Sequence, residues 1–231
     1  MNLSNVTLII IDCVDIDRCV IPIHKSTENI MFGDIVLLTS IRKHIDINAR
    51  VVYIDKLTNV NEYSNFVIKN LSDYVNTDFV LITQWDGYVV DSSKWTDEFF
   101  GCDYIGAPWP WEDGLVGNGG FSLRSKKLLE FCKINGDYMI GKGLDVDQLN
   151  EDHVLTNVNR NYLLENGFNI ASLELAQRFS SEGTMYDGAF GWHGAGCNTP
   201  EIVIKSNPYV KYMIDNDIDH RELSGEDYEN I

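Results

Sequence analysis

The chain has 231 residues, of which 44% are apolar, enough to fill the core of one domain. Its 18 Lys and Arg against 35 Asp and Glu leave a net charge of −17, and its basic pairs, Arg42-Lys43 and Lys126-Lys127, are isolated. That balance argues against nucleic-acid backbones and anionic membranes as partners, and for small ligands or a divalent cation that brings phosphate to an acidic site. Along the chain, Val6–Ile11 is a β-branched run that stops at Asp12, which predicts a strand buried on both faces. It is too short, and lacks the preceding basic residues, for a signal peptide. A helix is expected near Pro22–Ile30 with Pro22 in its opening turn, then strands at Asp34–Thr39 and Arg50–Asp55. From Asn61 to Tyr74, Tyr63, Phe66, Val67, Leu71 and Tyr74 share one helical face. A fourth strand follows at Asp78–Thr83, so strands alternate with helices, as in an α/β sheet of mostly parallel strands. Beyond Trp95 the strands shorten. A helix after Arg124 turns Leu128, Leu129 and Cys132 inward. Another opens at Glu151 with Val154, Leu155, Val158 and Tyr162 on its apolar face and Gly167 as its stop. Residues 1–214 read as a single domain and residues 215–231 as an acidic, solvated tail. Five cysteines (13, 19, 102, 132 and 197) without a CxxC pair point to free thiols in a reducing, cytoplasmic compartment. No run approaches the length of a membrane span.

Parallel sheets bind ligands beyond the carboxyl ends of their strands, which here carry Asp12-Cys13-Val14-Asp15 and Gln84-Trp85-Asp86-Gly87. Further on, Gly117, Gly119 and Gly120 make a bend where backbone must pass close to something, between the aromatic loop Asp103–Trp111 and the acidic Glu151-Asp152. Each feature also has a plain structural reading. Asp86 before Gly87 suits a turn, His193 suits packing on Trp192, and Glu151 and Asp152 suit the positive end of a helix.

Taken together and in this order, the segments resemble the motifs of GT-A nucleotide-sugar glycosyltransferases. Thr77–Asp86 resembles the strand entering their DxD motif, residues 117–120 their glycine loop, Asn150-Glu151-Asp152 their xED motif, and Gly191-Trp192-His193-Gly194 the segment bearing a metal-binding histidine. More closely, the chain resembles a bacterial and viral glycosyltransferase-like family of unknown function. The segments that carry this likeness are Gln84–Gly87, Asp103–Trp109, Val116–Ser125, Glu151-Asp152, Arg178–Glu182 and Gly191–Gly194. The resemblance implies a GT-A-like (Rossmann-like) fold, a mostly parallel central sheet flanked by helices. It implies transfer of a sugar from a nucleotide-diphosphate donor to a hydroxyl acceptor such as a glycan. Asp152 would be the general base of an inverting reaction, with Glu151 beside it. Asp86 and His193 would hold Mn²⁺ or Mg²⁺. Donor contacts would come from Asp12, Cys13, Asp15, Gln84, Trp85, Asp86, Gly119, Gly120, Phe121 and Arg124, and sugar stacking from Trp109 and Trp111. Gln84 stands where the first DxD carboxylate is usual, which lowers the charge available to a metal while still allowing a bond to a ribose hydroxyl. Retention with the same parts, or a nucleotide-sugar-binding module that has lost catalysis, are the alternatives. Arg178 and Glu182 belong to the pattern without an assigned role.

Overall fold

A computed structural model describes residues 1–109, 114–142, 149–194 and 198–216. In chain order they form β1 (Asn2–Ile11), α1 (Val20–Thr27), β2 (Met31–Thr39), β3 (Arg50–Tyr53), α2 (Val60–Lys69), β4 (Phe79–Thr83), β5 (Gly87–Val89), β6 (Tyr104–Ile105), β7 (Ser122–Ser125), α3 (Lys126–Gly141), α4 (Glu151–His153), α5 (Arg160–Glu165), α6 (Leu173–Phe179), β8 (Ser180–Glu182), β9 (Gly191–His193), α7 (Glu201–Ser206) and α8 (Pro208–Asn216). The main sheet has the order β3-β2-β1-β4-β7-β6. Its first four strands are parallel, β7 runs against β4, and β6 runs against β7. A small second sheet, β5-β9-β8, stands beside it. The expected α/β architecture is therefore present.

From Leu8 to Ile11 β1 is apolar without alternation because both faces of the sheet are covered there. Ile9 and Ile11 join Val67 and Leu71 of the α2 region and Leu129 of α3 in one cluster. Leu8 points the other way, into an aromatic cluster with Phe99, Phe121, Phe179 and Phe190. Asn59 caps α2 by accepting the N–H of Glu62 at 3.0 Å, while Glu62 accepts from Thr58 N–H at 2.7 Å. The helix expected to run to Tyr74 ends at Lys69 and resumes as a 3₁₀ turn at Leu71–Tyr74, yet its predicted apolar face packs as one surface.

The helix opening at Glu151 departs more. Residues Val154–Val158 form a π turn between α4 and α5. That turn inserts a residue and moves the buried positions from the expected Val158 and Tyr162 to Asn159 and Leu163. The Asn159 side-chain amide donates to the carbonyls of Val154 at 2.9 Å and Met139 at 3.0 Å, which stitches the bulge to α3. Gly167, at φ 80°, ends the segment as expected. Cys13, Cys19, Cys102 and Cys132 are free thiols, whereas Cys197 and most of the acidic tail (217–231) lie outside the described residues. Among the described residues no helix is long and apolar enough to cross a membrane.

Candidate active site

β1 and β4 lie side by side and parallel, with Ile10 opposite Thr83, so the segments that follow them reach one edge of the sheet. After β1, the Asp12 carboxylate accepts the N–H groups of Val14 (2.8 Å) and Asp15 (3.0 Å) and pairs with Arg18. After β4, Gln84-Trp85-Asp86-Gly87 is a tight turn closed by Gly87 N–H to the Gln84 carbonyl at 3.0 Å. Between these turns and the start of α2 lies a cavity of about 340 Å³, lined by Asp12, Cys13, Arg18, Tyr63, Gln84 and Trp85 among others. The Arg18 guanidinium stands over the Trp85 ring, 5.3 Å from its centre. Asp15 is not in that lining; it accepts the N–H of Asp17 at 3.0 Å.

The second sheet closes the long sequence gap to His193. β5 pairs antiparallel with β9, setting Gly87 opposite His193 and so bringing the imidazole beside Asp86. His193 Nε2 is 3.6 Å from Asp86 Oδ1 and 3.1 Å from Gln84 Oε1. On its other side Nδ1 is 3.1 Å from Oε1 of Glu182, which β8 sets in register against His193. Burial pulls the imidazole pKa down, but Asp86 and then Glu182 outweigh it and raise the pKa to about 9. Asp86 is 2% exposed, and its Oδ1 has no hydrogen-bond partner.

The glycine loop forms the third wall. Its left-handed residue is Asn118 (φ 65°), so Gly117, Gly119 and Gly120 are not there for positive φ. They are there for space. A Cβ would lie 2.0 Å from the Trp109 ring at Gly117, 2.0 Å from Glu151 Oε1 at Gly119, and 1.9 Å from His193 Nε2 at Gly120. The close approach expected of this backbone is thus to the site's own side chains. Gly119 N–H also donates to Asp152 Oδ2 at 3.0 Å. Burial first, then the Glu151 and Glu182 carboxylates, push the Asp152 pKa up to about 7. Because a Cβ at Gly120 would meet the His193 ring first, Gly120→Ala should displace the imidazole and cost about 1–3 kcal/mol, read as a lower urea midpoint. An unchanged midpoint would mean that the loop does not press on His193.

Four expected contacts are corrected. Arg124 is fully buried and pairs with Glu151 Oε1 at 2.7 Å, over the Tyr104 ring, so it supports the loop from beneath and does not face a donor. Glu151, 5% exposed, is consumed by that pair and is not a free carboxylate beside Asp152. Phe121 is core, with Gly191 abutting its ring and Phe179 5.3 Å away. Trp109 is 7% exposed and stacks on His153 at 5.8 Å, because bare Gly117 lets the indole slide under the loop. Trp111 lies outside the described residues. Conversely, sequence reasoning left out Arg18 and Tyr63 and gave Glu182 no role. Tyr63 accepts from Gln84 Nε2 at 3.2 Å. Its position on the apolar face of α2 concealed that bond.

Among the described residues no group of three or more His, Cys, Asp and Glu is placed to hold a metal ion. Asp86 and His193 offer two ligands, and the orphaned Asp86 Oδ1 is the acceptor that a cation would satisfy. Such a pair fits a hard cation whose remaining positions are taken by phosphate oxygens and water.

The family described as protein of unknown function (DUF5672) matches residues 46–193. No curated protein sequence matches the chain. Among solved structures, the galactosyltransferase LgtC, in complex with donor and acceptor sugar analogs, has a TM-score of 0.56 at 12% identity, over 91% of this chain and 95% of LgtC. The apo form of the glycosyltransferase GlyE of Streptococcus pneumoniae TIGR4 has a TM-score of 0.45 at 16% identity, and this chain spans 44% of its length. The mannosyltransferase PcManGT of Pyrobaculum calidifontis, in complex with GDP-Man and Mn²⁺, has a TM-score of 0.41 at 13% identity, over 72% of this chain and 53% of PcManGT. At such identities the LgtC likeness speaks for the fold alone, and that fold is the GT-A arrangement.

Proposed function

Since the chain belongs to the DUF5672 family, we propose that it is a GT-A glycosyltransferase that moves a sugar from a nucleotide-diphosphate donor to a hydroxyl acceptor. The observation that carries this reading is the buried, partnerless Asp86 Oδ1 facing His193 Nε2 at the carboxyl edge of the sheet, with Asp152 held by the adjoining glycine loop. The cavity beside Asp12, Cys13, Arg18, Gln84 and Trp85 is the donor's nucleotide site. Asp86 and His193 would hold Mn²⁺ or Mg²⁺, which when bound neutralises the departing diphosphate. Glu182, by accepting the Nδ1–H of His193, holds the ring with Nε2 toward Asp86, and binding a cation there would release the Nε2 proton.

Asp152 is the base. It removes the proton of the acceptor hydroxyl as that oxygen attacks the anomeric carbon opposite the diphosphate, which inverts the centre. Gly119 N–H fixes the orientation of the carboxylate. A pKa near 7 suits a group that must be ionised at neutral pH and still accept a proton readily. The competing reading is a nucleotide-sugar-binding module without turnover. Gln84, bonded to both Tyr63 and His193 where a carboxylate would add ligand charge, is the observation behind it.

The test is Asp86→Ala in calorimetric titrations with nucleotide sugars and Mn²⁺. Affinity should fall by about 10- to 100-fold. Unchanged affinity, with Mn²⁺ still required, assigns the metal elsewhere.

A further inference from the structure

A second cavity, of about 350 Å³, lies between Trp109, the end of α6 and the segment after β8. Its two sides lead to the two halves of the proposed centre. Trp109 stacks on His153, next to the base, and Gly117 of the loop that holds Asp152 abuts its indole. Opposite, Ser180 and Ser181 precede Glu182 along β8, and Glu182 holds His193. Glu182 is also close enough to Asp152 to raise its pKa. The lining shares no residue with that of the nucleotide cavity, and through Trp109 and Ser181 it adjoins the neighbours of Asp152 and His193.

The lining chemistry selects the ligand. Gln177, Thr184 and Asp187 are exposed and, among the described residues, make no side-chain hydrogen bond. These are neutral donors and acceptors plus one carboxylate, set against the apolar Pro108, Leu173 and Met185. Among the described residues no Lys, Arg or His lines the cavity. The adjacent Arg178 is drawn away to Glu98 at 2.7 Å. A phosphorylated ligand would find a carboxylate and no cation, in a chain of net charge −17. Scattered hydrogen-bonding groups beside apolar side chains suit an uncharged polyol.

Resting on the glycosyl-transfer reading, we infer that this cavity is the acceptor subsite and that it takes an uncharged, hydroxyl-rich acceptor, a neutral glycosyl unit, held by hydrogen bonds with Gln177, Thr184 and Asp187. With the indole occupied by His153 and Gly117, hydrogen bonding outweighs ring stacking there.

The experiment is saturation-transfer NMR with the methyl glycosides of glucose, galactose, mannose and N-acetylglucosamine, with glucose 6-phosphate and a short single-stranded DNA as charged counterparts. At least one neutral glycoside should bind. Its Kd should rise about tenfold or more in Gln177→Ala/Asp187→Ala, which removes two partners. Thr184→Trp, at an exposed position, should block it. The thermal shift given by nucleotide sugars with Mn²⁺ should be unchanged in both variants. Silence from all four glycosides, equal binding of the charged probes, or full glycoside binding by both variants would overturn the inference. If a glycoside binds as described but no nucleotide sugar shifts the melting temperature of the wild-type protein, the glycosyl-transfer reading fails and the neutral-glycoside site stands without it.

Discussion

Asp152→Asn should lower transfer by about 10²–10⁴, the usual worth of a positioned base, with donor affinity almost unchanged. The amide keeps the shape but cannot take a proton, and its single oxygen can accept from Gly119 N–H or from His153 N–H, where the carboxylate accepts both. Its effect on stability should depend on pH. The folded pKa of Asp152 is raised from 3.8 to about 7, so the folded state holds its proton more tightly than the unfolded chain does. Its contribution to stability is complete below about pH 4 and is lost as pH rises through 7. Asn carries no such loss, so the melting temperature of the wild type should fall relative to that of the variant as pH rises from 5 to 8. A residue that merely complemented the helix dipole would behave otherwise, losing at most about 1 kcal/mol with near-normal turnover. Measuring turnover, donor affinity and melting temperature on this one variant separates the two roles.

The neighbouring carboxylate should give the opposite pattern. Glu151→Ala leaves the Arg124 guanidinium buried without its charge partner, and breaking such a pair costs about 3–5 kcal/mol. Ser122 Oγ still accepts from Arg124 Nε at 3.1 Å, and the Tyr104 ring still lies beneath it, but neither supplies a negative charge. Urea unfolding should show the loss directly. Replacing both partners with apolar residues of similar volume, as in Arg124→Met/Glu151→Leu, should recover much of it, because the desolvation cost goes with the charges. A single variant as stable as wild type would mean that the pair contributes nothing to holding the loop.

The fold was legible where local chemistry decides it. β1 to β4 and α2 follow from β-branched runs and one apolar helical face, and the Pro22 and Gly167 signals fall at a helix start and stop. The π turn was not legible, because it depends on a tertiary contact, Asn159 reaching the carbonyl of Met139 in α3. In the site, the order of segments pointed to Asp86, Asp152 and His193, which the β5–β9 pairing and the glycine loop bring near one another. Burial was invisible to sequence reasoning. Arg124, Phe121 and Trp109 carry side chains that suit ligands, but each is enclosed by residues far along the chain. The glycines were picked out for two reasons, of which only the close approach holds, and its objects are Trp109, Glu151 and His193. Glu182 gained a role only when β8 paired in register with β9.

The central claim, metal-assisted transfer from a nucleotide sugar, is tested most directly by release of nucleoside diphosphate from a panel of nucleotide sugars, with Mn²⁺ and with EDTA. The account predicts release from at least one donor with Mn²⁺, suppressed by EDTA and lost in Asp152→Asn when acceptor is present. Donor binding without release under any condition, or release indifferent to EDTA, would contradict it.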